Sequence, residues 1–267
     1  MPRSSVGRGV RPAAFAALLV AGSVSAALLA QGQGAQPGPP VLASGDSAAI
    51  AGWLVAIGTL VLAVVAIFQE TIRGWFYRPR FRVSVKTEPP DCVAVPINRL
   101  DGTLVANSIY LRLWVENVGN ATARNVEVYA KELRRRRADM KWERVASFPP
   151  MNLKWANLGA IYFPSIAPEM GKHCDVAHIV DPTKRHLLQE EAPALSLTNQ
   201  QSSLAFDLMA APNHRGHIVA PGDYQLDILV AADNVRPKRG LVTINLRGPW
   251  HTDETTMLRD GVGLVVE

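Results

Sequence analysis

The stretch "SIYLRLWVENVGNATARNVEVYAKEL", residues 108–133, alternates apolar and polar side chains, breaks, and then alternates again. Ile109, Leu111, Leu113 and Val115 fall on one side of its first half. Val126, Val128 and Ala130 fall on one side of its second half, with Glu127, Tyr129 and Lys131 opposite. A period of two is that of a strand with one buried face, because successive side chains of an extended chain point opposite ways. Between the halves stand Asn117, Gly119 and Asn120, all turn formers. The stretch therefore predicts two antiparallel strands joined as a hairpin. Tyr110 and Trp114 fall on the outer face of the first strand. Exposed, they would form a binding surface; we expect a further layer of chain to cover them.

The same alternation recurs on either side. "RFRVSVK", 80–86, sets Phe81, Val83 and Val85 against Arg80, Arg82 and Ser84. "PGDYQLDILVAADN", 221–234, buries Tyr224, Leu226, Ile228 and Val230, and "GLVTINL", 240–246, buries Leu241 or Val242 with its alternate partners. Asp233, Asn234, Pro237 and Gly240 would form the connection of this second hairpin. Helical periodicity is confined to short pieces near 183–191 and 254–258. The pattern predicts an antiparallel β-sandwich over residues 80–267, with 138–200 as an insertion or a second subdomain.

"LWVENVGNATARNVEVYAKEL", 113–133, resembles the strand–turn–strand signature of bacterial immunoglobulin-like domains of the CARDB (cell-adhesion-related) type. That signature is an alternating strand, Asn-x-Gly, a small residue and a second alternating strand. "APGDYQLDI", 220–228, is similar to the Pro-Gly-x-Tyr strand entry of many such sandwiches. The resemblance spans about 40 residues and implies an immunoglobulin-like fold, not an activity. It also implies that Tyr224 packs at a strand corner. CARDB domains generally lie outside the cell.

Residues 48–68, "AAIAGWLVAIGTLVLAVVAIF", carry no charge. At about 1.5 Å per residue such a run spans roughly 30 Å, the depth of a bilayer's hydrocarbon core. It predicts a transmembrane helix over 48–72. An earlier apolar stretch, 12–30, follows Arg3, Arg8 and Arg11 and ends near the small residues "VSA" at 24–26. Residues 1–30 read as a signal peptide or as a first membrane helix. The Gly/Pro/Gln-rich linker 31–47 has no Lys or Arg, whereas Arg73, Arg78, Arg80, Arg82 and Lys86 come after the helix. Short basic segments stay cytoplasmic, so the linker faces outward and the sandwich inward, at the inner (plasma) membrane. In this the chain departs from the CARDB pattern. In the juxtamembrane segment 73–79, Trp75, Phe76 and Tyr77 would lie at headgroup level, and Pro79 would end the helix. Arg73, Arg78, Arg80 and Arg82 would face anionic lipid.

The basic pI, about 9.4, does not signal nucleic acid. Residues 1–79 hold five arginines against Asp46 and Glu70, while the other 188 residues carry 23 basic and 21 acidic side chains. The excess flanks apolar segments, a membrane pattern. Cys92 and Cys174 are the two cysteines, too few for a disulfide scaffold, though one bridge between them stays open.

No P-loop, HExxH, GxSxG or GxGxxG occurs. "KHCDVAHIVD", 172–181, is the nearest approach to a site, with His173, Cys174, Asp175, His178 and Asp181. On a regular strand Cys174 and His178 share one face while His173 and Asp175 share the other, so a metal would need a bulge or help from His214 and His217. We assign no catalytic, cofactor-binding or metal residue from the sequence. Arg134, Arg135, Arg136 and Arg137 end a strong strand. Four consecutive arginines are expected to be mostly solvated, as an edge guard or as a contact for anionic lipid or an acidic partner. "RPKR", 236–239, is a second basic tip; were both directed at the bilayer, they would hold the domain against it together with Arg80 and Arg82.

These features favour a non-enzymatic, membrane-tethered protein-interaction module without cofactors, its sandwich on the cytoplasmic side and a protein as partner. The alternatives are an extracytoplasmic adhesion or envelope domain, or a metal-dependent factor built on His173–Asp181.

Overall fold

The computed structural model describes residues 45–267, apart from the side chains of 45–48 and 70–75. The segment read as a signal peptide or first membrane helix, and most of the linker, lie outside the described residues. The apolar run forms one helix, α1 (Gly45–Phe76). Its stretch Ala49–Gln69 is long and apolar enough to cross a membrane, and none of it is buried among the described residues. Thr59, its hydroxyl-bearing residue, donates to the Val55 carbonyl at 2.8 Å, so the helix satisfies that polar group itself. The described residues divide into two units, with the boundary after Ile67.

The second unit is mainly β. Its strands are β1 (Phe81–Ser84), β2 (Cys92–Asn98), β3 (Leu104–Asn117), β4 (Ala123–Arg136), β5 (Trp142–Arg144), β6 (Met151–Asn152) and β7 (Lys154–Trp155). Next come β8 (Tyr162–Ile166), β9 (Gly171–Val180), β10 (Leu204–Phe206), β11 (Ile218–Val219), β12 (Gly222–Ala232), β13 (Val235–Leu246) and β14 (Val262–Val266). They make two antiparallel sheets. The first runs β1-β3-β9-β10-β11, with β2 also on β3 and β7 on β9. The second runs β14-β13-β12-β4-β5, with β6 and β8 also on β4. Residues 138–200 thus feed strands into both sheets. Short helical turns occupy Pro182–Leu188, Glu254–Thr256 and Met257–Gly261, close to the two expected pieces.

Alternation sorts the core as the sequence indicates. Ile109, Leu111, Leu113 and Val115 of β3 are buried, as are Val126, Val128 and Ala130 of β4 and Tyr224, Leu226, Ile228 and Val230 of β12. On β13 the buried set is Val242, Ile244 and Leu246, which decides the register against Leu241. All belong to one cluster shared by the two sheets. Tyr224 is buried and its hydroxyl donates to the Ala220 carbonyl at 2.7 Å, a tie four residues back that fixes the entry to β12.

Two expected connections differ. The stretch 108–133 is not a hairpin: β3 pairs with β9 and β4 pairs with β12, so the turn at 118–122 carries the chain from one sheet to the other. Alternation shows which residues face a core but not which strand lies alongside. The second hairpin is real, but β13 already begins at Val235, so Pro237 and Gly240 lie in the strand and Asp233–Asn234 makes the turn.

Candidate functional site

The aromatic–basic segment leaving α1 is held by the turn at 118–122. Asn120 Nδ2 donates to the Phe76 carbonyl at 2.7 Å, and Asn120 Oδ1 accepts from Arg78 N at 3.0 Å, so one amide caps the helix end. Asn117, fully buried, accepts from Arg80 N at 3.1 Å and Gly119 N at 3.0 Å, and donates to the carbonyls of Ala121 at 2.8 Å and Ile166 at 3.0 Å. At Gly119 a Cβ would stand 2.4 Å from the Arg78 carbonyl oxygen and 2.5 Å from Arg80 N, which only glycine permits. The residues read as turn formers therefore clasp residues 76–80.

Of the expected interface set, Phe76 and Tyr77 are exposed, Arg82 pairs with Glu116 at 3.6 Å, and the side chains of Arg73 and Trp75 lie outside the described ones. Arg78 and Arg80 contribute to something the sequence did not reveal. With Pro79, Phe81, Asn234, Val235, Arg236 and Lys238 they line a cleft of about 660 Å³. Lys238 Nζ donates to the Phe81 carbonyl at 2.9 Å, joining the cleft's two walls. The sequence signal was "RPKR", but nothing local showed that it meets Arg78 and Arg80.

The arginine run lies elsewhere. The β4 register puts Arg124 near the hairpin turn at Asp233–Asn234 and Arg135 beside Tyr224, at the strand's other end. Eleven residues of strand span roughly 35 Å, so the two basic tips do not point the same way. Arg135, Arg136 and Arg137 are exposed and Arg134 half-buried, as expected, but the run also has partners within the fold. Arg134 pairs with Glu132, Arg135 donates to the Pro221 carbonyl at 3.1 Å, Arg136 lies 3.8 Å from Asp223, and Arg137 lies 3.5 Å from Glu143. Arg136 also sits over the Trp142 ring. Neighbouring strands β5 and β12 supply most of these partners, which the local sequence could not show.

The His173–Asp181 segment is β9 as far as Val180, with Asp181 capping the turn that follows, and the strand contains a bulge its sequence lacked reason to predict. Leu111 pairs with Ala177 and Arg112 with Asp175, leaving Val176 extra. The extra residue turns Cys174 into the core and puts His173, Asp175 and His178 together on the outer face, opposite Trp114, Arg112 and Tyr110. Tyr110 and Trp114 are accordingly half-buried, neither free nor covered. His178 stacks on Tyr110 with centroids 5.1 Å apart, and His173 meets the edge of Trp114 at 4.8 Å. Arg112 binds Asp175 at 2.9 Å, and His173 binds Asp91 at 2.8 Å.

His178 is held by two carboxylates, Asp207 at 3.0 Å from Nδ1 and Glu190 at 2.8 Å from Nε2. Burial pushes its titration down, but the Asp207 and Glu190 carboxylates outweigh that and raise it to about 10. An imidazolium donating from both nitrogens has no lone pair for a metal. Among the described residues no three His, Cys, Asp or Glu side chains are arranged to hold one. His214 Nδ1 accepts from Gly216 N within its own loop, and His217 is buried.

Cys174 and Cys92 are both free and buried. They sit opposite Leu113 and Leu111 from the two sides of β3, two strand spacings and a two-residue offset apart, roughly 12 Å and too far for a bridge. Burial pushes the Cys92 thiol up to about 12, and that of Cys174 well above its ordinary value. Neither is a nucleophile in this state. We expect maleimide to label neither thiol of the folded protein over hours and both in denaturant, as counted by mass; rapid labelling of Cys174 when folded would contradict its placement.

The chain matches no protein-family model, no curated protein and no solved structure.

Proposed function

We propose that this chain is a membrane-tethered, non-enzymatic interaction module that displays an immunoglobulin-like sandwich on the cytoplasmic side of the plasma membrane. The observation that carries the proposal is the 21-residue apolar stretch Ala49–Gln69, exposed among the described residues, with arginines after it. Burying such a stretch in lipid removes a large apolar area from water, and the basic residues beyond it favour the cytoplasmic face. The described polar clusters support a binding role over a catalytic one. His178, Arg112 and the arginine run have their hydrogen bonds taken up by partners within the fold. A sandwich so held together offers loops and outer faces to a protein partner.

Reporter fusions at Ser47 and Glu267, active on one side of a membrane only, test this reading. The Glu267 fusion is expected to work in the cytoplasm and the Ser47 fusion outside. A Glu267 fusion active outside would overturn the orientation and favour an adhesion or envelope role.

A further inference from the structure

We propose that the cleft between residues 78–81 and the β12–β13 hairpin is a binding site for the phosphate of an anionic phospholipid headgroup. The proposal rests on the membrane-tethered reading and deepens it. Arg78 and Arg80 come from the segment after α1, whereas Arg236 and Lys238 come from a hairpin more than 150 residues later. Among the described side chains, none of these four cations has a carboxylate within 4.0 Å. Asp233, the nearest acid in the hairpin turn, is engaged by Asn125 Nδ2 at 2.6 Å. By contrast Arg134, Arg136 and Arg137 each have a carboxylate within 4.0 Å, whereas Lys238 is held only by the Phe81 carbonyl. Like charges gathered around a cleft repel one another, and an anion between them relieves that repulsion.

The cleft's shape and setting favour a lipid. Its volume, about 660 Å³, lies within the ordinary range for sites that take small molecules. Phe81 and Pro79 are buried and Val235 half-buried, so the interior is apolar while the exposed cations form the rim. A phosphate on the rim with its glycerol against Phe81 and Val235 matches that division. α1 ends at Phe76, seven positions beyond Gln69, the last residue of the apolar stretch, about 10 Å of helical rise, and Arg78 follows two residues later. A headgroup is therefore the nearest abundant phosphate. The clasp of Asn117, Gly119 and Asn120 fixes residues 76–80 before any ligand arrives, which lowers the ordering cost of binding.

The test uses the full chain in neutral detergent, with lipid adducts counted by native mass spectrometry. Phosphatidylglycerol, phosphatidylcholine and inorganic phosphate are titrated separately, and phosphate is also titrated against bound phosphatidylglycerol. We expect saturable phosphatidylglycerol binding at least tenfold tighter than phosphatidylcholine. The double variant R80Q/R236Q should weaken it roughly 30-fold, about 2 kcal/mol. The distal pair R135Q/R137Q should leave it unchanged. If R80Q/R236Q is misfolded by circular dichroism, the exposed single variant R78Q serves instead, with an expected loss of about fivefold. Equal binding of the two lipids, or phosphatidylglycerol binding indifferent to these variants, overturns the site. Inorganic phosphate that binds as tightly and displaces the lipid reassigns the cleft to a soluble anion and overturns the lipid assignment. Alkaline carbonate extraction separates the two readings. A chain that stays in the membrane yet shows no lipid preference defeats this site alone, while a chain released by carbonate defeats the tether as well.

Discussion

Asn117→Ala is expected to lower the unfolding temperature of residues 68–267 by about 10 °C, through a loss of about 3–5 kcal/mol. The reason lies in one fully buried amide that satisfies four backbone groups: Arg80 N, Gly119 N, and the Ala121 and Ile166 carbonyls. Alanine leaves those groups without their partner, the Ile166 carbonyl in a buried position and the other three half-buried, at a cost of about 1–3 kcal/mol for each that water cannot reach. Asn117→Asp is the sharper comparison. A carboxylate still accepts from the two amides but sets an anionic oxygen against the two carbonyls, so it should be no better than alanine. Gly119→Ala attacks the same clasp sterically, because its Cβ would meet the backbone of Arg78 and Arg80. The measurement is thermal unfolding of the full chain in detergent, monitored by tryptophan fluorescence. A loss below about 1 kcal/mol for Asn117→Ala would mean that residues 78–80 are not seated on this turn.

The second large effect concerns His178. With Asp207 and Glu190 on its two nitrogens, the folded ring keeps its proton up to about pH 10, against 6.5 ordinarily. Its contribution to stability is therefore complete below about pH 6.5, declines through the window between, and is gone above about pH 10. His178→Phe preserves the stack on Tyr110 but leaves Asp207 buried and Glu190 half-buried without their cation. At pH 7 that should cost about 3–5 kcal/mol, near 10 °C in unfolding temperature. The gap between wild type and variant should then close as the pH is raised to 10, because the wild type loses what the variant never had. Adding Asp207→Asn to His178→Phe should recover much of the loss at pH 7 by removing an unpaired charge. A gap of constant size from pH 7 to pH 10 would show that the folded histidine is neutral.

How much of this was legible in the sequence depended on the range of the interaction. Strand faces were readable because a buried face imposes a period of two on neighbouring residues, and Leu111, Val128 and Leu226 are buried as that period requires. The pairing of β3 with β9 was not readable, since partners are chosen by the folded chain and 108–133 looks the same as a hairpin or as a crossover. The His178 cluster was hidden for a related reason. One extra residue, Val176, reverses the face of everything after it, and a bulge leaves no local mark in a run of ordinary strand residues. Arg135–Arg137 are exposed as expected, but the partners of Arg135 and Arg136, the Pro221 carbonyl and Asp223, come from a distant part of the chain and left no local mark.

By itself the sequence determined the apolar helix, the β character of residues 80–267, and the sorting of side chains toward the core. These are consequences of hydrophobicity and periodicity, which act over a few residues. The tertiary structure alone decided that Asn117, Gly119 and Asn120 clasp the segment leaving the helix, and that Arg236 and Lys238 face Arg78 and Arg80 across a cleft. It alone also decided that His178 stands between two carboxylates. Each of these joins residues distant in the chain, and charge or hydrogen-bonding capacity finds its partner only when folding brings the two within a few ångströms.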